Sequence, residues 1–207
     1  MKIFDSEGYI DSEVQEILYE LGNVGLGMAS ITLGRIMGVR MHIGVPKVIP
    51  VNELITYNLE SVEDEVSIWM DFQKTLSGSM IFVLKRHFVD EVVQKMGDRE
   101  KVECDETEKI SVIQEFANMI CAAYLKAVGQ YTGIRMYVKP AGLEIQKGNI
   151  TLKQAYERID DSCHKAICVD TGFSIAYDNK KVIDDVGHVI MLPDEKSVEK
   201  LIEPLCK

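Results

Sequence analysis

The chain has 207 residues, 46% of them hydrophobic and 27% charged, with a net charge of −10. That length and mix suit one large globular domain, or two fused halves, with a sizeable core. The acidic balance excludes the clustered basic footprint that nucleic acid or an anionic membrane would require.

A first helix is predicted from Asp11 or Ser12, with Ser12 and Gln15 placed for a capping box. Val14, Leu18, Leu21, Gly25, Ala29 and Thr32 fall along one side, and Gly38 stops it. Glu60–Glu65 reads as a solvated charged loop. Glu65–Lys74 and Ile81–Leu84 then form a predicted hairpin across Leu76–Ser79, followed by a short helix carrying Val89, Val92, Val93 and Met96. A second long helix starts at Asp105, capped with Glu108, and carries the apolar stripe Ile113, Phe116, Ala117, Ile120, Tyr124. Thr151–Cys163 has helix-like, charged composition. Ala166–Tyr177 and Val186–Leu192 read as strands joined by a turn at Asp178–Lys181, and Val198, Leu201, Ile202 and Leu205 mark a last helix.

A repeat runs through this order. Glu20, Asn23 and Pro46 read E-x2-N-x22-P, and Glu115, Asn118 and Pro140 read E-x2-N-x21-P, in a chain with only six Asn and five Pro. The first pieces of the two halves align at an offset of 95, which also pairs Gly27 with Ala122. Gly78–Leu84 and Gly187–Pro193, with the helix after each, align at 109, so the second half carries an insertion between Pro140 and Gly187. Short connections between consecutive strands imply antiparallel pairing. The expectation is an α+β domain, internally duplicated and pseudo-two-fold. A mostly antiparallel shared sheet carries two long exposed helices that bear the sites. The halves span approximately residues 8–100 and 104–207.

On a helix, residues at i, i+4 and i+7 share one side. Glu16, Glu20, Asn23 and Gly27 therefore form one stripe, and Ser111, Glu115, Asn118 and Ala122 the equivalent one. The second lies nearly opposite the apolar stripe, so its polar pair is expected to face away from the core. A Glu and an Asn on an exposed face are ordinary as a single occurrence. Asn is a mediocre helix former, yet it recurs mid-helix at the matching place in both halves, and coincidence becomes the weaker reading.

The pattern D/S-x3-E-x2-N-x(about 22)-P, present twice, resembles the CheC members of the CheC/CheX/FliY phosphatases, chemotaxis proteins that dephosphorylate the response regulator CheY. The resemblance covers essentially the whole chain, including Leu21-Gly-Asn-Val-Gly-Leu-Gly27. Ser111, Glu115, Asn118 and Pro140 fit fully; in the first motif Glu16 stands where Asp or Ser is expected, while Glu20, Asn23 and Pro46 agree. The resemblance implies an aspartyl-phosphate phosphatase with catalytic residues Glu20, Asn23, Glu115 and Asn118. Each Asn would orient the attacking water and each Glu would anchor the regulator through its active-site Lys. The chemistry is coherent on its own terms. A carboxamide can hold water in line without adding a negative charge that would repel the phosphoryl group. No cofactor is then held by this chain, Mg²⁺ coming with the regulator. The implied partners are a phosphorylated CheY-type regulator and, in the same family, the receptor deamidase CheD; neither nucleic acid nor membrane is expected, and the internal repeat favours a monomer.

Two rivals stand beside this. One is a binding module that sequesters the phosphorylated regulator or docks CheD without turnover. The other is a self-sufficient small-molecule enzyme, against which the chain lacks a P-loop, a dinucleotide GxGxxG after a strand, an HExxH helix and a GxSxG elbow. The five cysteines have no framework or metal spacing, so Cys163, His164 and Cys168 are not read as a metal site, and His42, His87 and His188 are read as structural. Reduced thiols, the early acidic N-terminus and the lack of an apolar run of roughly 20 residues together predict a cytoplasmic protein.

Overall fold

Helix α1 (Ser12–Met37) buries Val14, Leu18, Leu21, Gly25 and Ala29, with Gly22, Leu26, Leu33 and Met37 widening the stripe; Thr32 is only half-buried. Its N-cap is Asp11, whose carboxylate accepts from the Glu13 and Val14 amides, and Ser12 lies inside the helix rather than forming a box with Gln15. The Gln15 amide that such a box would use already donates to the Asp11 carbonyl at 2.9 Å, so a Ser12 cap has nothing to bind. The computed structural model describes residues 3–4, 9–50, 65–97, 105–135, 138–147, 167–176 and 183–205. The inserted segment 151–163, the loop 60–64 and the turn 178–181 lie outside the described residues.

Among the described residues, the other helices are α2 (Arg86–Met96), α3 (Glu106–Thr132) and α4 (Glu195–Ile202). Asp105 caps α3 in the expected box with Glu108. Gly38 and Gly133, offset by 95, end the two long helices in the left-handed conformation.

The strands are β1 (Arg40–Ile43), β2 (Lys47–Pro50), β3 (Glu65–Lys74), β4 (Gly78–Lys85), β5 (Val138–Lys147), β6 (Ile167–Ala176) and β7 (Ile183–Pro193). They form one seven-stranded antiparallel sheet in the order β1-β6-β7-β4-β3-β5, with β2 also on β6. Glu65 opens β3 as the predicted Glu65–Lys74 strand has it, and it is buried there and not part of a solvated loop. Exchanging the halves reverses this order onto itself. The register repeats the symmetry: Gly78 faces Pro193, Leu84 faces Gly187, and the central pair is Ile81 with Ile190, residues that are themselves 109 apart. Gly78 (φ 154°) and Gly187 (φ 146°) occupy equivalent ends of this ladder, where a Cβ would run into the Leu192 and Val83 carbonyl oxygens. The α+β, duplicated architecture expected from the repeat is the one observed.

Val66, Ile68, Met70, Met80, Phe82, Leu84, Val189 and Met191 share a buried cluster with these described helices on one face of the sheet. The alternate residues Ile81, Val83, Ile190 and Leu192 are buried on the other face. Burial on both faces explains why β4 and β7 read as continuous apolar runs.

Helices α1 and α3 pack against one another in antiparallel fashion: Gly25 meets Tyr124, while Ala29 and Leu33 share a small apolar cavity with Ile120 and Phe116. A Cβ on Gly25 would lie 2.5 Å from the Tyr124 ring. Tyr124 is fully buried, so the ring cannot move aside, and its hydroxyl has no hydrogen-bond partner among the described residues. Burial, with the neighbouring Cys121 thiol, pushes the Tyr124 phenol well above its ordinary pKa, and burial raises Cys121 to about 12. Gly25→Ala is expected to lower stability by about 1–3 kcal/mol through overpacking, although alanine is the better helix former by about 1 kcal/mol; denaturant unfolding reads the sign. Tyr124→Phe should leave the unfolding midpoint unchanged or raise it, because it removes a buried hydroxyl that nothing satisfies.

Candidate functional site

The first motif is assembled by a fold-back. After α1 the chain runs through β1, and Gly44 donates its amide to the Gly172 carbonyl. Pro46, just before β2, is buried against Gly22, the residue preceding Asn23; a Cβ on Gly22 would stand 3.0 Å from the Pro46 Cβ and 3.1 Å from Val169. The proline of the motif is thus the wedge that seats this turn of α1 on the sheet. In the second half, Pro140 lies within β5 opposite Phe72, where the β3–β5 register slips between Asp71 and Phe72. β5 ends the sheet order, a place where a residue without an amide hydrogen does least harm.

Glu20 and Glu115 are exposed, and Asn23 and Asn118 are half-buried. The carboxamides are therefore more sheltered than the stripe alone predicts. The Asn118 carboxamide oxygen is enclosed and has no hydrogen-bond partner among the described residues. Among the described residues, none of the four side chains makes a hydrogen bond or ion pair within the chain. An enclosed amide oxygen without a partner costs about 1–3 kcal/mol, which is how a group kept for an external ligand behaves.

The remaining motif positions have different fates. The Ser111 hydroxyl is spent on the Thr107 carbonyl at 3.0 Å, and Glu16 is exposed. Open space surrounds the position a Cβ would take on Gly27, and Ala122 is exposed, so the small residue after each motif leaves room for approach. Asn23 lies about 160° round α1 from Gly25, the residue that meets α3. Each motif therefore turns away from the other long helix.

His188 is not scattered but paired. Its Nδ1 lies 3.0 Å from Oδ1 of the buried Asp170. Both sit on strand positions that alternate with Val189 and Val169 of the helix-side core, so the pair occupies the opposite face of the sheet from the motifs. Among the described residues no cluster of three or more His, Cys, Asp or Glu is arranged to hold a metal ion, and no helix is long and apolar enough to cross a membrane.

One repeat escaped the sequence reading although its signal was present. Gly38-Val-Arg-Met41 and Gly133-Ile-Arg-Met136 match at the same offset of 95 as the motifs. Arg40 and Arg135 are both exposed.

No family model matches the chain. Its fold, an antiparallel sheet carrying two long helices on one face, is that of several solved chemotaxis and flagellar proteins. FliY of Thermotoga maritima superposes with a TM-score of 0.62 at 18% identity, covering 94% of this chain and 96% of that one. CheX in the CheX–CheY–BeF3–Mg²⁺ complex of Borrelia burgdorferi gives 0.53 at 16%, covering 86% and 98%. The FliM middle domain of Vibrio alginolyticus gives 0.51 at 16%, covering 92% and 98%. In sequence, the CheY-P phosphatase CheC of Bacillus subtilis strain 168 is 23% identical over 211 residues, 99% of this chain and 98% of that protein. The resemblance to the CheC/CheX/FliY family, expected from the motifs, is borne out in sequence and in fold.

The hydrogen bond that His188 donates to Asp170 raises its pKa, against the opposing effect of burial. A raised folded-state value stabilises the fold below the unfolded value of about 6.5, and the contribution is lost as pH climbs through the folded value. Wild type should thus lose stability between pH 6.5 and mild alkalinity, and Asp170→Asn should flatten that slope in unfolding experiments across the range.

Proposed function

We propose that the chain is a phosphatase for the aspartyl phosphate of a CheY-type response regulator, with Asn23 and Asn118 orienting the attacking water and Glu20 and Glu115 anchoring the regulator. The observation that carries this reading is the duplicated Glu–Asn pair, one helical turn apart, whose side chains are uncommitted inside the chain. Fold alone does not select an activity. The support comes from these residues, from the phosphatase named for the Bacillus relative and from the CheY bound to the CheX neighbour.

The chemistry is completed between two proteins. The regulator would bring the acyl phosphate and a Mg²⁺ ion that neutralises the phosphoryl oxygens; this chain would bring the water-holding amide. Binding would exchange bulk water for one molecule held in line, and the unsatisfied Asn118 carboxamide would gain a partner at that moment. Glu20 and Glu115 stand one turn earlier, about 4.5 Å along the axis. An exposed carboxylate there can reach a lysine at the rim of the regulator's pocket through a charge-assisted bond. The role requires no nucleophile, general base or metal ligand from this chain, and a cytoplasmic setting goes with it.

Decay of the regulator's acyl phosphate, followed with and without the protein at equal Mg²⁺, tests the proposal. The wild type should accelerate decay. Asn23→Ala/Asn118→Ala should lose the acceleration by on the order of a hundredfold while still binding the phosphorylated regulator. Glu20→Ala/Glu115→Ala should instead weaken the complex by about tenfold or more. Undiminished turnover in the double Asn variant would sink the assignment, and tight binding without turnover by the wild type would point to sequestration.

A further inference from the structure

The exposed face of α3 continues past Asn118 into an open groove of about 550 Å³, lined by Ala122, Lys126, Gly129, Gln130, Gly133 and Arg135. Ala122 is one turn beyond Asn118 on the same stripe, so the groove begins where the motif ends. Lys126 lies about 12 Å along the axis from Asn118. None of the lining residues is acidic. In a chain of net charge −10 this is an unusual surface.

The two cations are uncommitted among the described residues. Among the described residues neither Lys126 nor Arg135 forms an ion pair, and neither side chain donates a hydrogen bond. The repeat sharpens the point for the arginine. In Gly-Val/Ile-Arg, the glycine ends the helix in the left-handed conformation and Val39 or Ile134 packs against the core. Both have structural reasons to recur in the two halves; Arg40 and Arg135, exposed and unpaired, do not.

We propose that this groove seats an acidic surface segment of the phosphorylated regulator, with Lys126 and Arg135 as its cationic contacts. The inference rests on the phosphatase reading above and adds how the partner is held. The regulator's Mg²⁺-binding carboxylates would sit over Asn118, so the segment proposed for the groove is a separate acidic stretch on the surface beside them. An acidic partner meeting this acidic chain is repelled overall, so a local basic patch beside the motif is what selects the productive approach. The contacts lie too far from Asn118 to touch the phosphoryl group. They set affinity and orientation, not the chemical step.

The test uses the full chain and a CheY-type regulator held in its phosphorylated form by beryllofluoride and Mg²⁺. Lys126→Glu/Arg135→Glu should bind about tenfold more weakly at low salt, and the gap should narrow as salt screens the charges. Turnover at saturating phosphorylated regulator and the thermal midpoint should both stay at the wild-type value; a cation serving only the helix dipole would shift the midpoint and leave affinity alone. Lys126→Gln/Arg135→Gln should fall between. Unchanged affinity and salt slope in the charge-reversal variant would overturn the proposal while leaving the phosphatase reading intact. So would sedimentation evidence that the variant dissolves a dimer of this chain without altering regulator binding. A wild type that neither binds nor dephosphorylates the regulator would overturn the phosphatase reading, and the groove assignment with it.

Discussion

The pairing of β4 with β7 about Ile81 and Ile190 governs everything else in the molecule. Each half alone would end in an apolar strand with an unpaired edge, a surface that invites aggregation. Joining the two edges satisfies both ladders and makes one continuous face on which four helices bury their stripes. The close backbone approach at Gly78 and Gly187 holds the register from both ends. Once that register is set, α1 and α3 have one way to lie side by side, with Gly25 under Tyr124. Their packing in turn decides which residues of each helix remain outside.

What remains outside is chemically sparse. The motif side chains are two carboxylates and two carboxamides, with no partners among the described residues to define a pocket. A self-contained enzyme encloses its reactants and gathers its charges. Here the chain offers a rigid helix surface, and the proposed reaction borrows electrostatics from the molecule that docks on it. Rigidity then matters more than depth. Pro46 wedged beside Gly22, and the long helices locked at Gly25, hold each Asn on a fixed scaffold.

The long helices, the β3–β4 hairpin and the duplicated plan were legible because their signals are local and repeated: Asp105 with Glu108, Gly38 as a stop, and apolar runs in β4 and β7. The cap of α1 was misassigned by one residue because Asp11 and Ser12 are both competent caps and only the fold-back of the preceding segment distinguishes them; the Asp11 amide donates to the Ile3 carbonyl. Glu65 read both as the end of a charge run and as the start of a strand, and cross-strand pairing with Lys85 draws it into the sheet. His188 looked isolated because its partner Asp170 arrives from another strand, a tertiary fact that spacing does not encode. The motif stripes were legible from periodicity alone, but the sheltering of the carboxamides was not, since it depends on how each helix packs in the fold. The Gly-Val/Ile-Arg repeat was readable all along at the offset already in hand.

Because α1 and α3 run antiparallel and each motif turns away from the other helix, the two Glu–Asn pairs open onto opposite flanks of the molecule. On the proposed reading that gives a single chain a valence of two, with a pair of globular guests standing back to back rather than competing for the same ground. The stoichiometry of such an assembly is written into the crossing of two helices, not into any oligomer.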